Sequence, residues 1–412
     1  MKPLNLDDLK KAYAKLPSEL KPTPFSFSNN ASQRAGSSIY IKYENLQKTG
    51  SFKVRGAYNK ISSLLETNPE IKKKGVWACS AGNHAQGVAW VASQLGCPST
   101  VVMPKRASLA KVEATKGYGA KVISEGKDII ASMEYAAVQC KKQGAFLVHP
   151  YDDPKIVAGQ GGIGLEIIEQ FLKISDKPLD SVIVPIGGGG LISGVALAIK
   201  SLSPSTKVYG VVSELCPIAY SWFHNLNVQE QVSKNQYRIS LADGTYVSKP
   251  SEYNYKNYIQ KYVDDVVFVT EEEVAETMVF LLERTKTLVE GSGALSMAAA
   301  FYGNLDLGKN SCVLLSGGNV NLNFLASIIE RGYYQMGKRA KLKIVAADKP
   351  GLLTEITKII AQYDVNILSI QHNRLDVRAV GEVLIEVLLE LTGKEQLKLL
   401  NEGLRQKKFF VQ

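Results

Sequence analysis

The sequence lacks what would mark a membrane-spanning, secreted or metal-stapled chain. No apolar run reaches the roughly 18 residues that a transmembrane helix needs. Met1-Lys2-Pro3-Leu4-Asn5 has no apolar signal core and is soon followed by Asp7 and Asp8, so neither a secretory nor a transit peptide is expected. The five cysteines, at positions 79, 97, 140, 216 and 312, are scattered and form no CxxC pair. A disulfide framework and a zinc site are both unsupported, and reduced thiols in the cytoplasm fit this usage best. Internal repeats and low-complexity segments are absent. The net charge of +10 is diffuse, with Lys72-Lys73-Lys74 as the longest basic run. No basic stripe interleaves with aromatic residues. The expectation is therefore no nucleic-acid partner, while the positive balance suits small anionic ligands.

What is present is a large hydrophobic fraction, 45% of 412 residues, enough for two or three compact units. Short apolar segments alternate with longer amphipathic ones. Residues 75–79, 99–104, 121–124, 146–149, 181–185, 207–212 and 311–316 read as strands. Residues 83–95, 107–117, 127–143 and 191–201 read as helices. Near-continuous apolar strands in β–α alternation predict an α/β fold, a parallel sheet covered on both faces. The pattern changes after about residue 332. Residues 331–343 are polar and basic and read as a linker. Beyond them, strand 342–346, helix 351–362, strands 366–375 and 382–391, helix 393–406 and strand 409–411 give the order βαββαβ. That order fits an α+β sandwich with split βαβ units. The expected domains are 1–332, with a smaller subdomain at about 45–155, and 338–412.

Four glycine-rich loops stand where parallel α/β sheets bind ligands, at the ends of predicted strands. Gly187-Gly188-Gly189-Gly190-Leu191 joins strand 181–185 to a helix. Converging backbone N–H groups and a helix N-terminus make it a phosphate cup; a turn needed only for packing is the alternative. Val211 and Val212 stand where a dinucleotide site carries its acidic ribose ligand, so that pattern is not met. Ser80-Ala81-Gly82-Asn83-His84 also opens a helix and suits a carboxylate, and Asn83 can donate to a phenolic oxygen. Ordinary capping by Ser80 or Asn83 is the alternative. In Gly50-Ser51-Phe52-Lys53-Val54-Arg55-Gly56-Ala57 a lysine stands at a helix start, where the macrodipole opposes it. That setting lowers its pKa, as a nucleophilic amine needs; a solvated lysine is the alternative. Leu315-Ser316-Gly317-Gly318-Asn319 offers a neutral hydroxyl.

In that order these four motifs resemble the fold-type II pyridoxal-phosphate enzymes, whose fold is that of the tryptophan synthase β chain. Lys42-Tyr43-Glu44-Asn45-Leu46-Gln47, Leu241-Ala242-Asp243-Gly244 and Glu290-Gly291-Ser292-Gly293 further resemble the threonine dehydratases, or threonine ammonia-lyases, over roughly residues 20–330. The resemblance implies pyridoxal phosphate as cofactor, carried on Lys53 beside Phe52. Gly187, Gly188, Gly189, Gly190 and Leu191 would hold its phosphate, Asn83 its phenolic oxygen and Ser316 its ring nitrogen. Ser80, Ala81, Gly82, Asn83 and His84 would grip the carboxylate of the amino-acid substrate. The implied reaction is β-elimination of threonine to 2-oxobutanoate and ammonia, with Lys53 as base and serine as a second substrate. Family members that racemise serine carry a serine at the position of Ala81, which has no transferable proton. A serine dehydratase or racemase, and a non-catalytic amino-acid sensor, are the alternatives. Two departures stand out. Gly162 lies where relatives carry threonine, and Val212-Ser213-Glu214 replaces a Glu-Pro-Glu whose first glutamate binds a divalent metal in some relatives. No such metal site is expected.

At the other end, Asp348-Lys349-Pro350-Gly351-Leu352-Leu353 and Asn366-Ile367-Leu368-Ser369-Ile370 resemble an ACT domain over about 70 residues. The resemblance implies an amino-acid effector near Asp348, Gly351, Leu352 and Asn366. It also implies feedback by a branched-chain amino acid, as in isoleucine biosynthesis, and pairing of domains in a homodimer or homotetramer. A purely structural dimerisation module is the alternative.

Overall fold

The computed structural model describes residues 2–227, 240–375 and 379–411, which divide into two compact units, Met1–Val320 and Asn321–Gln412. The strands of the first unit are β1 (Phe25–Phe27), β2 (Ser38–Tyr43), β3 (Val76–Cys79), β4 (Ser99–Met103), β5 (Lys121–Ser124), β6 (Phe146–Leu147), β7 (Ser181–Pro185), β8 (Lys207–Ser213), β9 (Asp265–Val269) and β10 (Asn310–Leu315). They form two sheets. The larger has the order β1-β2-β10-β7-β8-β9 and is parallel apart from the β1–β2 pair. The smaller has the order β5-β4-β3-β6 and is parallel throughout. β3 and β7 are buried along their whole length, which is why they read as unbroken apolar runs.

Local chemistry sets the helix starts. Asp153 caps the helix Pro154–Leu172, with proline in its first turn. Thr270 and Glu273 form a capping box on Glu271–Arg284, whose first turn carries three acids. Inside Pro154–Leu172, a Cβ on Gly162 would come within 2.8 Å of the Tyr13 ring. The ring therefore occupies the space that a threonine would take.

Beneath the start of the helix Lys53–Thr67 lies a cluster of four buried charges. Arg55 and Glu44 are wholly buried, as is Lys42, and Glu166 is 1% exposed. Arg55 meets Glu44 through Nε (2.8 Å) and Nη2 (2.8 Å), and Glu166 through Nη1 (2.7 Å) and Nη2 (3.0 Å). Lys42 Nζ donates to Glu166 (2.6 Å), Gln170 (2.7 Å) and the Thr23 carbonyl (2.9 Å). Two positive and two negative charges cancel, and each side chain is hydrogen-bonded, the condition under which such burial is tolerated. The cluster ties β2 and Pro154–Leu172 to the helix that begins with Lys53.

The second unit contains β11 (Arg339–Ala347), the helix Leu352–Gln362, β12 (Asn366–Asn373), β13 (Glu382–Glu390), the helix Lys394–Gln406 and β14 (Phe410–Val411), in the expected order βαββαβ. Its antiparallel sheet runs β12-β13-β11-β14 over a core that includes Ile344, Ile356, Ile360, Ile385 and Leu404. The helix Leu322–Gln335 belongs to this unit. The stretch 331–343, read as a linker, is thus the end of that helix, a turn at Gly337 (φ 69°) and the start of β11. Several of its basic residues are paired in the fold: Arg339 with Glu330, and Lys341 and Lys343 with Glu386.

Candidate active site

Lys53 opens its helix three residues after Gly50, whose φ of 72° is a left-handed value that suits glycine. Ser51 bridges to Gly317, and Phe52 N–H donates to the Ser316 carbonyl (3.3 Å), so the Lys53 and Ser316 loops are stitched together. The Lys53 amine donates to the Pro150 carbonyl (3.1 Å) and lies 5.1 Å from the centre of the Phe52 ring. The lysine stem keeps some solvent contact, but the amine is crowded by protein atoms. Burial pushes its pKa down to about 8 against the opposing pull of Glu290. A freely solvated lysine does not fit this setting.

Asn83 begins the helix Asn83–Gln94 yet does not cap it; Gly82 holds the cap position, and no side chain closes the helix start. Asn83 Nδ2 instead donates to Glu290 (2.6 Å), and its Oδ1 accepts from Asn319 Nδ2 (2.8 Å). Ser80 Oγ accepts from Gly82 N–H (3.1 Å), which shapes the loop before the helix and leaves the helix itself uncapped. His84 is buried, with Nε2 on the Val148 carbonyl (2.8 Å). Burial, and then the nearby Lys53, drive its pKa down to about 3, so the ring is neutral and only the backbone N–H remains for a carboxylate. Glu290 is 5% exposed, and burial followed by the proximity of Asp243 pushes its carboxyl up to about 7.

The glycine loop enters the helix Gly190–Leu202 through Gly189, whose φ is 92°, and no side chain caps this helix either. Its first-turn N–H groups lack intrahelical partners. Tyr151 lies against the loop: a Cβ on Gly188 would run into its ring. The adjoining residue Pro150 is the one that meets the Lys53 amine. On the other side, a Cβ on Gly187 would stand 3.1 Å from Thr245, whose hydroxyl meets Ser292 (3.3 Å). The Ser292 carbonyl in turn accepts from the buried Ser316 hydroxyl at 3.3 Å, a long contact that leaves the hydroxyl largely uncommitted. Lys53, Asn83, Gly187–Leu191 and Ser316 are thus linked through shared neighbours.

These groups fit pyridoxal phosphate. The uncapped helix after four glycines provides N–H donors for a dianion, and Lys53 provides an enclosed amine. Ser316 and the second Asn83 N–H would offer neutral partners to ring atoms. Four further site residues escape the sequence reading: Tyr151, Asp243, Glu290 and Asn319. Asp243, Glu290 and Asn319 lie inside motifs that the sequence singles out, and their polarity beside glycines is the available signal. Asp243 pairs with Lys111 (2.7 Å) from the helix Leu109–Gly117. The loop that carries Asp243 is anchored by the Glu271 carboxylate, which receives Ser213, Ser240 (2.8 Å) and the Leu241 N–H (2.5 Å). Ser213 here serves as an anchor, and the neighbouring Val212 is buried within β8. Among the described residues no group of three or more His, Cys, Asp or Glu side chains is arranged for a metal ion.

In the second unit, Gly351 (φ 87°) caps the helix that starts at the buried Leu352, and Asp348 is held by Arg374 (2.6 Å). Asn366 donates to Glu390 (3.0 Å). The register sets Asn366 opposite Glu390 and, through it, Arg339, whereas Ala347 faces Glu382. Asn366 and the Asp348 turn therefore lie at opposite ends of this sheet, and one chain does not bring the four expected effector residues together.

Residues 17–317 match the family model described as pyridoxal-phosphate dependent enzyme, and residues 341–404 match that of the ACT domain. The chain is 42% identical over 398 residues to an L-threonine ammonia-lyase of Thermotoga maritima, covering 96% of each. It is 42% identical over 329 residues to a catabolic L-threonine dehydratase of Escherichia coli, covering 79% of this chain and 96% of that protein. A solved crystal structure of a threonine deaminase is similar, with a TM-score of 0.69 and 36% identity, covering 77% of this chain and 99% of that one. None of the described helices is long and apolar enough to cross a membrane.

Proposed function

The chain belongs to the pyridoxal-phosphate dependent enzymes and carries an ACT domain, and on that premise we propose that it is a threonine ammonia-lyase, eliminating water from L-threonine to give 2-oxobutanoate and ammonia. The observation that carries this reading is the enclosed, pKa-lowered amine of Lys53, linked through neighbouring residues to Asn83, Ser316 and the glycine loop. When bound, pyridoxal phosphate supplies the electron sink that makes an α-proton removable and a β-hydroxyl expellable.

The protein's own groups do the rest. The backbone N–H groups of Gly187–Leu191 would hold the phosphate at a helix N-terminus. Lys53, with its pKa near 8, is partly neutral at neutral pH. It would hold the cofactor through Nζ, and as a free amine it can accept the α-proton there. The Ser80–His84 loop offers uncapped N–H groups to the substrate carboxylate. Ser316 would offer a hydroxyl, not a carboxylate, to the ring nitrogen, and a neutral partner there would favour elimination over transamination. Ala81 offers no proton to the opposite face, so racemisation is disfavoured.

L-Serine differs from threonine by one methyl, worth about 1–3 kcal/mol in a pocket, so it is a second substrate. The ACT unit takes an amino-acid effector, a branched-chain product being the natural one. Because Asn366 and the Asp348 turn lie far apart in one chain, the effector site is shared between paired ACT units in a dimer or tetramer. Buried, unpaired thiols at Cys79, Cys97, Cys140 and Cys312 suit the reducing cytoplasm. The test is a keto-acid assay on purified protein. Formation of 2-oxobutanoate from L-threonine is expected, and a cofactor-loaded protein that yields no keto acid from threonine or serine would overturn the assignment.

A further inference from the structure

Asn83 matters only if its amide nitrogen faces the cofactor's phenolic oxygen, and an amide can point either way. The structure contains a device that settles the direction. Asn319 Nδ2 donates both to the Thr49 carbonyl (2.7 Å) and to Asn83 Oδ1 (2.8 Å). A backbone carbonyl can only accept, so the nitrogen of Asn319 must face it, and Asn319 can then act only as donor toward Asn83. Asn83 must answer with its oxygen, which turns its nitrogen toward Glu290 (2.6 Å). One Nδ2 hydrogen is used on Glu290, and the other has no protein acceptor among the described residues.

Two glycines make room for this chain. A Cβ on Gly50 would lie 2.5 Å from Asn319 Oδ1, and one on Gly317 would collide with Glu290 Oε1 and lie 3.0 Å from Asn83 Nδ2. Thr49, which supplies the terminal carbonyl, sits at a φ of 60°, an unfavourable value for a β-branched residue. Glu290 occupies the cap position of the helix Gly291–Tyr302 without capping it; its carboxyl is committed to Asn83.

We propose that Asn319 and Glu290 are positioning residues that lock the Asn83 amide with its free N–H toward the cofactor. The inference rests on the reading that Asn83 meets the cofactor ring. It assigns Glu290 an acceptor's role, which a glutamine can fill and an apolar residue cannot. The groups facing Glu290 are Asn83 and Lys53 from their two helix starts, Asp243 from its loop, and Lys111 from Leu109–Gly117.

The test is titration of pyridoxal phosphate into the full-length chain stripped of cofactor, with affinity and visible band as readouts. Glu290→Gln should bind within about threefold of wild type, because its side-chain oxygen still accepts from Asn83. Glu290→Leu, and Asn319→Asp, which presents only acceptors to the Asn83 oxygen, should each lose about tenfold or more and shift the band. Near-ultraviolet circular dichroism checks that each variant is folded. If Glu290→Leu and Asn319→Asp bind like wild type while Asn83→Ala is weakened, the positioning role fails and the role of Asn83 stands. If Asn83→Ala itself binds like wild type, both fail. Equal weakening by Glu290→Gln and Glu290→Leu would also overturn the proposal, since an acceptor would then not be what Glu290 supplies.

Discussion

Replacing Arg55 by methionine should be among the most damaging single changes in the first unit, although Arg55 is two residues from Lys53 and touches no substrate. Arg55 satisfies two carboxylates at once, with four contacts of 2.7–3.0 Å and no solvent exposure. Without it, Glu166 keeps Lys42 (2.6 Å) and the Thr23 N–H (3.2 Å), whereas Glu44 keeps the Thr23 hydroxyl (2.5 Å). One negative charge is left uncompensated in a dry site. Breaking such a buried pair costs about 3–5 kcal/mol. For a unit of this size that corresponds to a fall in Tm of roughly 5–7 °C. All three tryptophans, Trp77, Trp90 and Trp222, lie in this unit, so urea unfolding followed by tryptophan fluorescence reports on it selectively. The control is Arg55→Met with Glu44→Met. It removes one charge of each sign and leaves the Lys42–Glu166 pair, and it should recover all but about 1 kcal/mol. An Arg55→Met protein that unfolds within about 1 kcal/mol of wild type, or a double variant no better than the single one, would refute the reasoning.

Other expectations follow from the site. His84 has its pKa lowered to about 3 in the fold, against roughly 6.5 unfolded, so below pH 6.5 the unfolded state takes a proton that the folded state refuses. This group alone makes stability fall by about 1.4 kcal/mol per pH unit as pH drops from 6.5 toward 3, and denaturation of His84→Gln should show a shallower acid limb. The Lys53 amine of the cofactor-free protein is shifted in the same direction. Its pKa of about 8 predicts acylation that is half-maximal near that pH, well below ordinary lysines, and mass spectrometry of the labelled peptide against pH would reveal an unshifted value. Ala81→Ser should raise formation of D-serine from L-serine by about tenfold or more by adding a proton carrier; chiral chromatography showing equal D-serine from wild type would contradict the role given to Ala81.

Much of the fold and site is legible in the residue order. Four glycine-flanked polar motifs mark the loops that carry Lys53, Asn83, Gly187–Leu191 and Ser316, which the fold links through shared neighbours. The apolar runs of β3, β4, β7 and β10 announce the sheets for the same physical reason that buries them. Other parts are not legible. β2, Ser38-Ile39-Tyr40-Ile41-Lys42-Tyr43, hides a wholly buried strand lysine, which composition alone would place at the surface. Its partners arrive from residues 23, 166 and 170, and only the packed fold shows that its charge and that of Arg55 are cancelled by Glu44 and Glu166. Glu290 reads as an acid at a helix start, which the macrodipole favours anyway, so nothing local reveals that its carboxyl is turned to Asn83. The separation of Asn366 from the Asp348 turn depends on strand register, and the basic stretch at 331–343 conceals a helix end because the Arg339–Glu330 pair forms only in the fold.

The central claim is that Lys53 carries pyridoxal phosphate, and borohydride reduction followed by peptide mapping tests it most directly. The account predicts a visible absorption band that disappears on reduction and a stable phosphopyridoxyl group on the peptide containing Lys53. A protein that gains no chromophore when pyridoxal phosphate is added, or a label fixed on another lysine, would contradict it.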